Sequence, residues 1–530
     1  MAAFITALLA TASYILPAAA QLSGSVGPTS STADKVAKIC NIMDYGGVAS
    51  ATEDNGAAIQ SAWDDCKTGG QVYIPEGDYG LSTWLTLKNG ANNSFNLEGT
   101  LYRVGTDGGN MIMIRDTHDF EFYSATSKGG MQGYGYEFLK DDTYGPRLLR
   151  FYKCTDFSVH DIALVDSPAF HLSLDTCTNG ELYNMIIRGA NRGGLDGIDV
   201  WGTNIWIHDI EVTNKDECVT VKDPSANILV EQVHCNWSGG CAMGSLASGI
   251  DIHDIEYNNI YTHHANQMFM IKSNGGSGNV YNLAFNNFVG HSNAYTLDFD
   301  SAWSSMSTVD GDGIQYSNVS FRGWRGTCSD GTERGPVKVL CPAGMPCTDI
   351  SIDDFHVWTE SGDEVYHACY NAYGSGSCLE DGDATTTYTS TVTLTTETSY
   401  SYATMADELT TGLGLSAPIA VPTMPASFFP GLAPISAILN GASAAVASSV
   451  PAVTASSSSS ALASPTSVTE TAAAVTATEA TEAEEVASST NSPITSAPTV
   501  TSAAVATQVA TTSARRPGRG SRRHQRFGGK

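Results

Sequence analysis

Three observations predict an all-β chain: a right-handed, single-stranded parallel β-helix followed by a disordered tail. The first is a short segment of alternating apolar residues around a central polar one. Its centres are Asp161, Asn184, Asp209, Gln232, Asp254, Asn282, Asn318 and Asp354. The steps between them are 23, 25, 23, 22, 28, 36 and 36 residues. The second is the make-up of each repeat: short β-branched strands, Gly and Asn at the turns, and no helical pattern. A period in the twenties with that make-up is one coil of a stacked solenoid, in which neighbouring coils bury a continuous core. The third is another strand in each coil, at 195–200, 218–222, 242–246, 269–272 and 295–299. With Ile198, Val219, Met243, Ile271 and Leu297 as inward anchors, its steps are 21, 24, 28 and 26 residues. Such strands stack ~4.8 Å apart as one parallel sheet along the solenoid. A leucine-rich horseshoe would need a leucine pattern absent here, and propeller blades need longer periods.

The flanking segments follow from composition. Residues 1–20 are apolar and small and end Pro17-Ala18-Ala19-Ala20, which reads as a secretory signal peptide cut before Gln21. No later stretch is long and apolar enough to span a membrane. The β-helix is expected over 21–383. From 384 to 514 there is no Cys, Trp, Lys or Arg, and Ser, Thr, Ala, Val and Pro dominate, as in a disordered, O-glycosylated stalk. Residues 515–530 form a basic tail.

All 12 cysteines lie between Cys40 and Cys378. A secreted chain holds them largely as disulfides. Short spacings pair Cys40 with Cys66, Cys218 with Cys235, Cys341 with Cys347 and Cys369 with Cys378. Cys154, Cys177, Cys241 and Cys328 are left unassigned. Glycosylation sequons stand at Asn92, Asn236 and Asn318; Asn236, next to a disulfide cysteine, is the least favourable. The formal charge is −28, and up to Asp383 only 20 Lys and Arg face 47 Asp and Glu. That excess argues against a nucleic-acid partner. An extracellular monomer is expected.

The chemistry gathers at two acidic clusters, Gly194-Leu195-Asp196-Gly197-Ile198-Asp199 and Asn214-Lys215-Asp216-Glu217-Cys218-Val219. If Ile198 and Val219 are equivalent, Asp196 and Glu217 share one outward row, and Asp216 joins them from the neighbouring turn. Carboxylates held together repel and distort one another's pKa values, so such clusters move protons or bind metal. Glycoside hydrolysis needs one acid to protonate the leaving oxygen and one base to activate water or attack. The rival reading is calcium held by Asp196, Asp199, Asp216, Glu217 and Asp223, as in a polysaccharide lyase with Lys272 as base.

These motifs resemble the pectin-degrading glycoside hydrolase family 28 over roughly 37–383. Polygalacturonases of that family carry an Asn-Thr-Asp strand, an Asp-Asp-Cys strand, a Gly-His-Gly turn and an Arg-Ile-Lys strand. The corresponding segments here are Gly194-Leu195-Asp196, Asp216-Glu217-Cys218, Ser238-Gly239-Gly240-Cys241 and Met270-Ile271-Lys272. Met270 in place of Arg removes a bidentate carboxylate clamp and offers an apolar surface, better suited to a deoxy sugar. The pattern is similar to the rhamnogalacturonase branch. The resemblance implies inverting endo-hydrolysis of galacturonosyl-α-1,2-rhamnose bonds in branched pectin, with no cofactor and no metal. It implies Asp216 as acid and Asp196 with Glu217 as base, although the longer Glu217 is an alternative proton donor. His291 is the candidate ionisable partner in place of the missing turn histidine. Lys272 is expected to meet a substrate carboxylate, and Tyr295 and Trp303 to stack on sugars.

Overall fold

The structure is a computed structural model that describes residues 22–438, apart from 330–334, 363, 383, 385–386, 398–401 and 407. The signal peptide and the basic tail expected from the sequence lie outside those residues. Successive strands pair in parallel from Ile39–Asn41 onwards, each with the strand one coil ahead, which is the solenoid expected. Ile, Val, Leu and Phe side chains fill its axis, and aromatic rings stack from coil to coil, as in Phe95 on Phe122, Phe285 on Phe321 and Phe288 on Trp324.

The polar centres of the repeat are corner residues. Asp161, Asn184, Asp209, Gln232, Asp254, Asn282, Asn318 and Asp354 all have φ between 47° and 58°. That left-handed conformation suits Asn and Asp, whose short polar side chains hydrogen-bond locally. From Asp156 to Asn287 each coil has two such corners, five residues apart, and the sequence repeat steps from one to the other. Asp161, Asn184, Asp209 and Gln232 continue as Asn259 and Asn287. Asp254, Asn282 and Asn318 instead continue the corner of Asp156, Asn179, Asn204 and Asn227. The 22-residue step after Gln232 is therefore a change of corner, and the true coil there, Gln232 to Asn259, is 27 residues. Amide ladders tie the corners: Asn204 Nδ2 donates to Asn179 Oδ1 at 2.8 Å, and Asn318 Nδ2 to Asn282 Oδ1 at 2.8 Å.

The second-strand anchors all point inward, but two steps slip by a dyad. Ile198 pairs with Val219 and Met243 with Ile271, as expected. Met243 pairs with Val221 rather than Val219, and Leu297 with Phe269 rather than Ile271. Period-2 alternation keeps a two-residue slip on the same face.

Helix Gly56–Cys66, unannounced by the strand pattern, buries Ile59, Ala62 and Trp63 over the first coils. Disulfide Cys40–Cys66 fixes it there, and Cys218–Cys235, Cys341–Cys347 and Cys369–Cys378 form as the spacings imply. Cys154, Cys177, Cys241 and Cys328 are buried thiols. Asn236 is fully buried, so its sequon is closed to a glycan; Asn318 is exposed and Asn92 half-buried.

The ordered chain does not stop at Asp383. Strand Thr389–Leu394 pairs antiparallel with Val365–Tyr370. Beyond it Leu413, Ile419, Val421 and Met424 pack on Ala163, Val165 and Ile186, and Met405 and Phe429 on Tyr261 and Val289. Over 387–438, where the sequence suggests a stalk, the sparse apolar residues among the described ones are spaced to meet the solenoid wall. Residues 439–514 lie outside the described residues. Among the described residues no helix is long and apolar enough to cross a membrane.

Candidate active site

The outward row that carries the acids depends on a local break in alternation. Cys218 and Val219 both turn into the core, where Cys218 bonds Cys235, and the pairing with the next coil is irregular between Glu217 and Thr220. This bulge leaves Glu217 facing outward. One coil earlier Gly197 does the same work: a Cβ there would lie 2.8 Å from the core side chain of Val212 and 2.5 Å from the Cys218 carbonyl oxygen. Strict alternation from Ile198 and Val219 would have buried both acids in the core.

Carboxylate oxygens of Asp196, Asp216 and Glu217 lie within 4.8 Å of one another. Asp196 and Glu217 are 3% and 4% exposed, whereas Asp216 is half-buried. Asp216 accepts the Gly194 N–H on Oδ2 at 2.5 Å and the Glu217 N–H on Oδ1 at 3.0 Å. Its own carbonyl receives Gly239 N–H at 2.7 Å and Ser238 Oγ–H at 2.9 Å.

Two lysines enter the cluster from one row. Lys272 Nζ is ion-paired with Glu217 Oε1. Lys222 Nζ lies 3.3 Å from Asp199 Oδ1 and 3.8 Å from Asp196 Oδ2. Gly244 stands between them in register, and a Cβ there would fall 2.6 Å from the Lys272 carbonyl oxygen. Burial first, then the charges of Asp199 and Asp216, push the Asp196 carboxyl well above the usual carboxylate range. Burial also raises Asp199, against the pull of Lys222. Burial works against the Lys222 ammonium, but Asp199 and Asp196 outweigh it and raise its pKa. Both shifts favour proton uptake on the Asp196–Asp199 side of the cluster.

Beneath it His171 is fully buried. Its Nδ1–H donates to the Asp196 carbonyl at 3.0 Å, and Nε2 accepts the Ser167 N–H at 3.4 Å. Burial lowers its pKa to about 4, and the neutral imidazole satisfies both contacts. Loop residue Leu195 packs with Leu139, Ala190 and Leu415, and Asn191 N–H donates to the Leu413 carbonyl at 2.9 Å. The segment beyond Asp383 therefore braces the loop that presents Asp196.

The other expected site residues divide. Trp303 is half-buried beside the cluster, its ring 5.8 Å from Lys272 Nζ. Lys272 meets Glu217, the plain ion-pair alternative to a substrate carboxylate. Met270 sits in register between Ala242 and Asp298 but is only 4% exposed, so it offers the cleft little apolar surface. Tyr295 is half-buried, its N–H bonded to the Asn266 carbonyl at 2.8 Å. His291 packs tilted against Tyr261 and edge-on to Tyr402, on the wall that binds the C-terminal segment. Asp223 accepts the Asp251 N–H at 2.7 Å and stands outside the acid group. Lys222 and His171 escaped the sequence reading. Lys222 was within reach, two positions past Thr220 on the outward side; His171 carries no motif.

Residues 71–378 match the family described as glycosyl hydrolases family 28. The chain is 59% identical over 435 residues to "Rhamnogalacturonase A" of Emericella nidulans, covering 82% of this chain and 85% of that protein. It is 58% identical over 438 residues to "Rhamnogalacturonase B" of Aspergillus niger, covering 82% and 78%. The endo-xylogalacturonan hydrolase structure from Aspergillus tubingensis shares the fold, with TM-score 0.58 and 23% identity over 65% of this chain and 100% of that one. The solenoid, its acid row and these matches make one statement: the chain belongs to glycosyl hydrolases family 28.

Proposed function

We propose that the chain is a secreted endo-hydrolase of rhamnogalacturonan, cleaving galacturonosyl-α-1,2-rhamnose bonds with inversion. The observation that carries this reading is the acid cluster Asp196, Asp216 and Glu217, met by Lys222 and Lys272 from a separate row of the same sheet. Two ammonium groups already occupy the site and offset part of its negative charge, so the carboxylates serve proton transfer better than they serve a divalent cation. The names of the relatives near 58% identity support the substrate.

Asp216, the most accessible of the three, gives its proton to the departing rhamnose oxygen as the bond to the galacturonate anomeric carbon breaks. Glu217, ion-paired to Lys272, takes a proton from the water that attacks that carbon. Asp196 gives its proton to Asp216 and takes the one that Glu217 drew from water, so all three acids return to their starting state. The oxygen separation is nearer the ~5–5.5 Å of retaining enzymes than the ~6.5–9.5 Å of inverting ones. Retention needs a carboxylate free to attack, however. Glu217 is held by Lys272, and Asp196 is buried with its proton, so inversion is the reading supported. Trp303 supplies a ring face for sugar stacking. The missing guanidinium at Met270, rather than its methyl surface, marks the difference from a galacturonate clamp.

The test is a paired digest of rhamnogalacturonan and homogalacturonan, with and without chelator. New reducing ends from rhamnogalacturonan alone, unaffected by chelator, support the reading. Release from homogalacturonan alone rejects the substrate; unsaturated, chelator-sensitive products reject the mechanism.

A further inference from the structure

The acid row extends two coils towards the N-terminus. Leu149 pairs with Leu172, Leu172 with Ile198 and Ile198 with Val219. Two residues earlier stand Arg147, Phe170, Asp196 and Glu217. The register persists there: Leu148 N–H donates to the Phe170 carbonyl at 3.2 Å, His171 N–H to that of Asp196 at 3.0 Å, and Gly197 N–H to that of Glu217 at 2.9 Å. Leu148 and Leu149 both enter the core, as Cys218 and Val219 do, so Arg147 faces outward like Glu217. Rungs ~4.8 Å apart put it ~10 Å from Asp196 along the cleft.

Its guanidinium lies 4.8 Å over the Phe170 ring. Among the described residues it is the one arginine with no carboxylate partner. Its neighbours Arg150, Arg188 and Arg192 are each paired, with Asp175 at 2.5 Å, Glu211 at 3.0 Å and Asp142 at 2.9 Å. Burial lowers its pKa, while Asp199, Asp196 and Asp175 act on it from a distance. A half-buried cation without a partner is costly, and a planar fork is shaped for a carboxylate.

We propose that Arg147 receives a uronate carboxylate of the bound polymer, forming a binding subsite two rungs from the point of cleavage. This rests on the pectic substrate proposed above. In a chain alternating uronate with a neutral sugar, carboxylates recur at every second residue. A pyranose is about as long as a rung is tall, so Arg147 meets the same kind of sugar that is cut.

The test is calorimetric binding of rhamnogalacturonan oligosaccharides, native and carboxyl-reduced, in the catalytically silenced Asp216→Asn background. Arg147→Met keeps an unbranched apolar side chain beside Phe170 and strands no carboxylate, so the fold is retained; Arg147→Lys keeps the charge without the fork. Arg147→Met weakens binding of the native ligand roughly 10- to 100-fold and leaves the carboxyl-reduced ligand unchanged, with Arg147→Lys between. Equal binding of the native ligand with and without the Arg147→Met substitution overturns the proposal. So does an equal loss for both ligands, which would mean that Arg147 only shapes the cleft. Turnover by the wild type is read separately: binding through Arg147 without product release rejects the hydrolase reading and leaves the subsite standing.

Discussion

Gly194 donates its backbone N–H to Asp216 Oδ2 across 2.5 Å. This bond joins the loop that presents Asp196 to the turn that presents Asp216, so the two acids are positioned as a unit. Gly194 reaches this pose at φ 76°, and a Cβ there would lie 3.0 Å from the Tyr144 ring. Gly194→Ala is therefore expected to lower kcat roughly 10- to 100-fold by displacing Asp216, with a small effect on thermal unfolding. Unchanged kcat would show that the bond is incidental.

Asp216→Asn and Glu217→Gln keep the shapes of the side chains and remove their proton chemistry. Each is expected to reduce turnover by about 10²–10⁴-fold with an unaltered circular dichroism spectrum. Near wild-type activity in both would overturn the acid assignment.

Lys222 is half-buried between the buried Asp199 and Asp196. Lys222→Met leaves both acids without their cation, a loss on the order of 3–5 kcal/mol for a broken buried pair. Urea unfolding is expected to show a lower midpoint. A midpoint equal to wild type would mean that the acids shed their charge at no cost.

Buried His171 and Asp166 predict opposite pH dependences. The folded pKa of His171, about 4, is below its ordinary 6.5. Its contribution is complete above pH about 6.5 and is lost as pH falls towards 4, up to on the order of 3 kcal/mol. The stability gap between wild type and His171→Asn should shrink over that interval. Burial raises Asp166, beside the Ile419 backbone, to about 6. Its contribution is complete below pH about 4 and is lost as pH rises through 6, so Asp166→Asn gains on wild type towards neutral pH. Thermal melts between pH 4 and 7.5 read both signs, and parallel curves would contradict them.

A chain ending at Asp383 loses the antiparallel strand and the apolar contacts of Leu413, Leu415, Ile419 and Phe429. It is expected to melt lower and to lose activity through the unbraced Leu195 loop. A truncated protein with wild-type melting and kcat would support the stalk reading of that segment.

The coil period was legible because Asn and Asp fill left-handed corners. It was blurred because both corners of a coil favour the same residues, so Gln232 ran on into Asp254 instead of Asn259. Acid convergence was legible from the equivalence of Ile198 and Val219. The bulge at Cys218 that makes it work was hidden, because a sequence shows alternation and not its local failure. Lys222 and the bracing by Leu415 depend on contacts across coils or from a distant segment, which no local pattern carries. His291 was misplaced because a histidine in a turn looks alike whether it faces the cleft or packs on Tyr261 and Tyr402.

Early-time proton NMR of a rhamnogalacturonan digest tests the central claim most directly. Attack by water held by Glu217, with proton delivery from Asp216, predicts that new galacturonate reducing ends appear first as the β-anomer and then mutarotate. First appearance of the α-anomer, or of an unsaturated uronate, would contradict it.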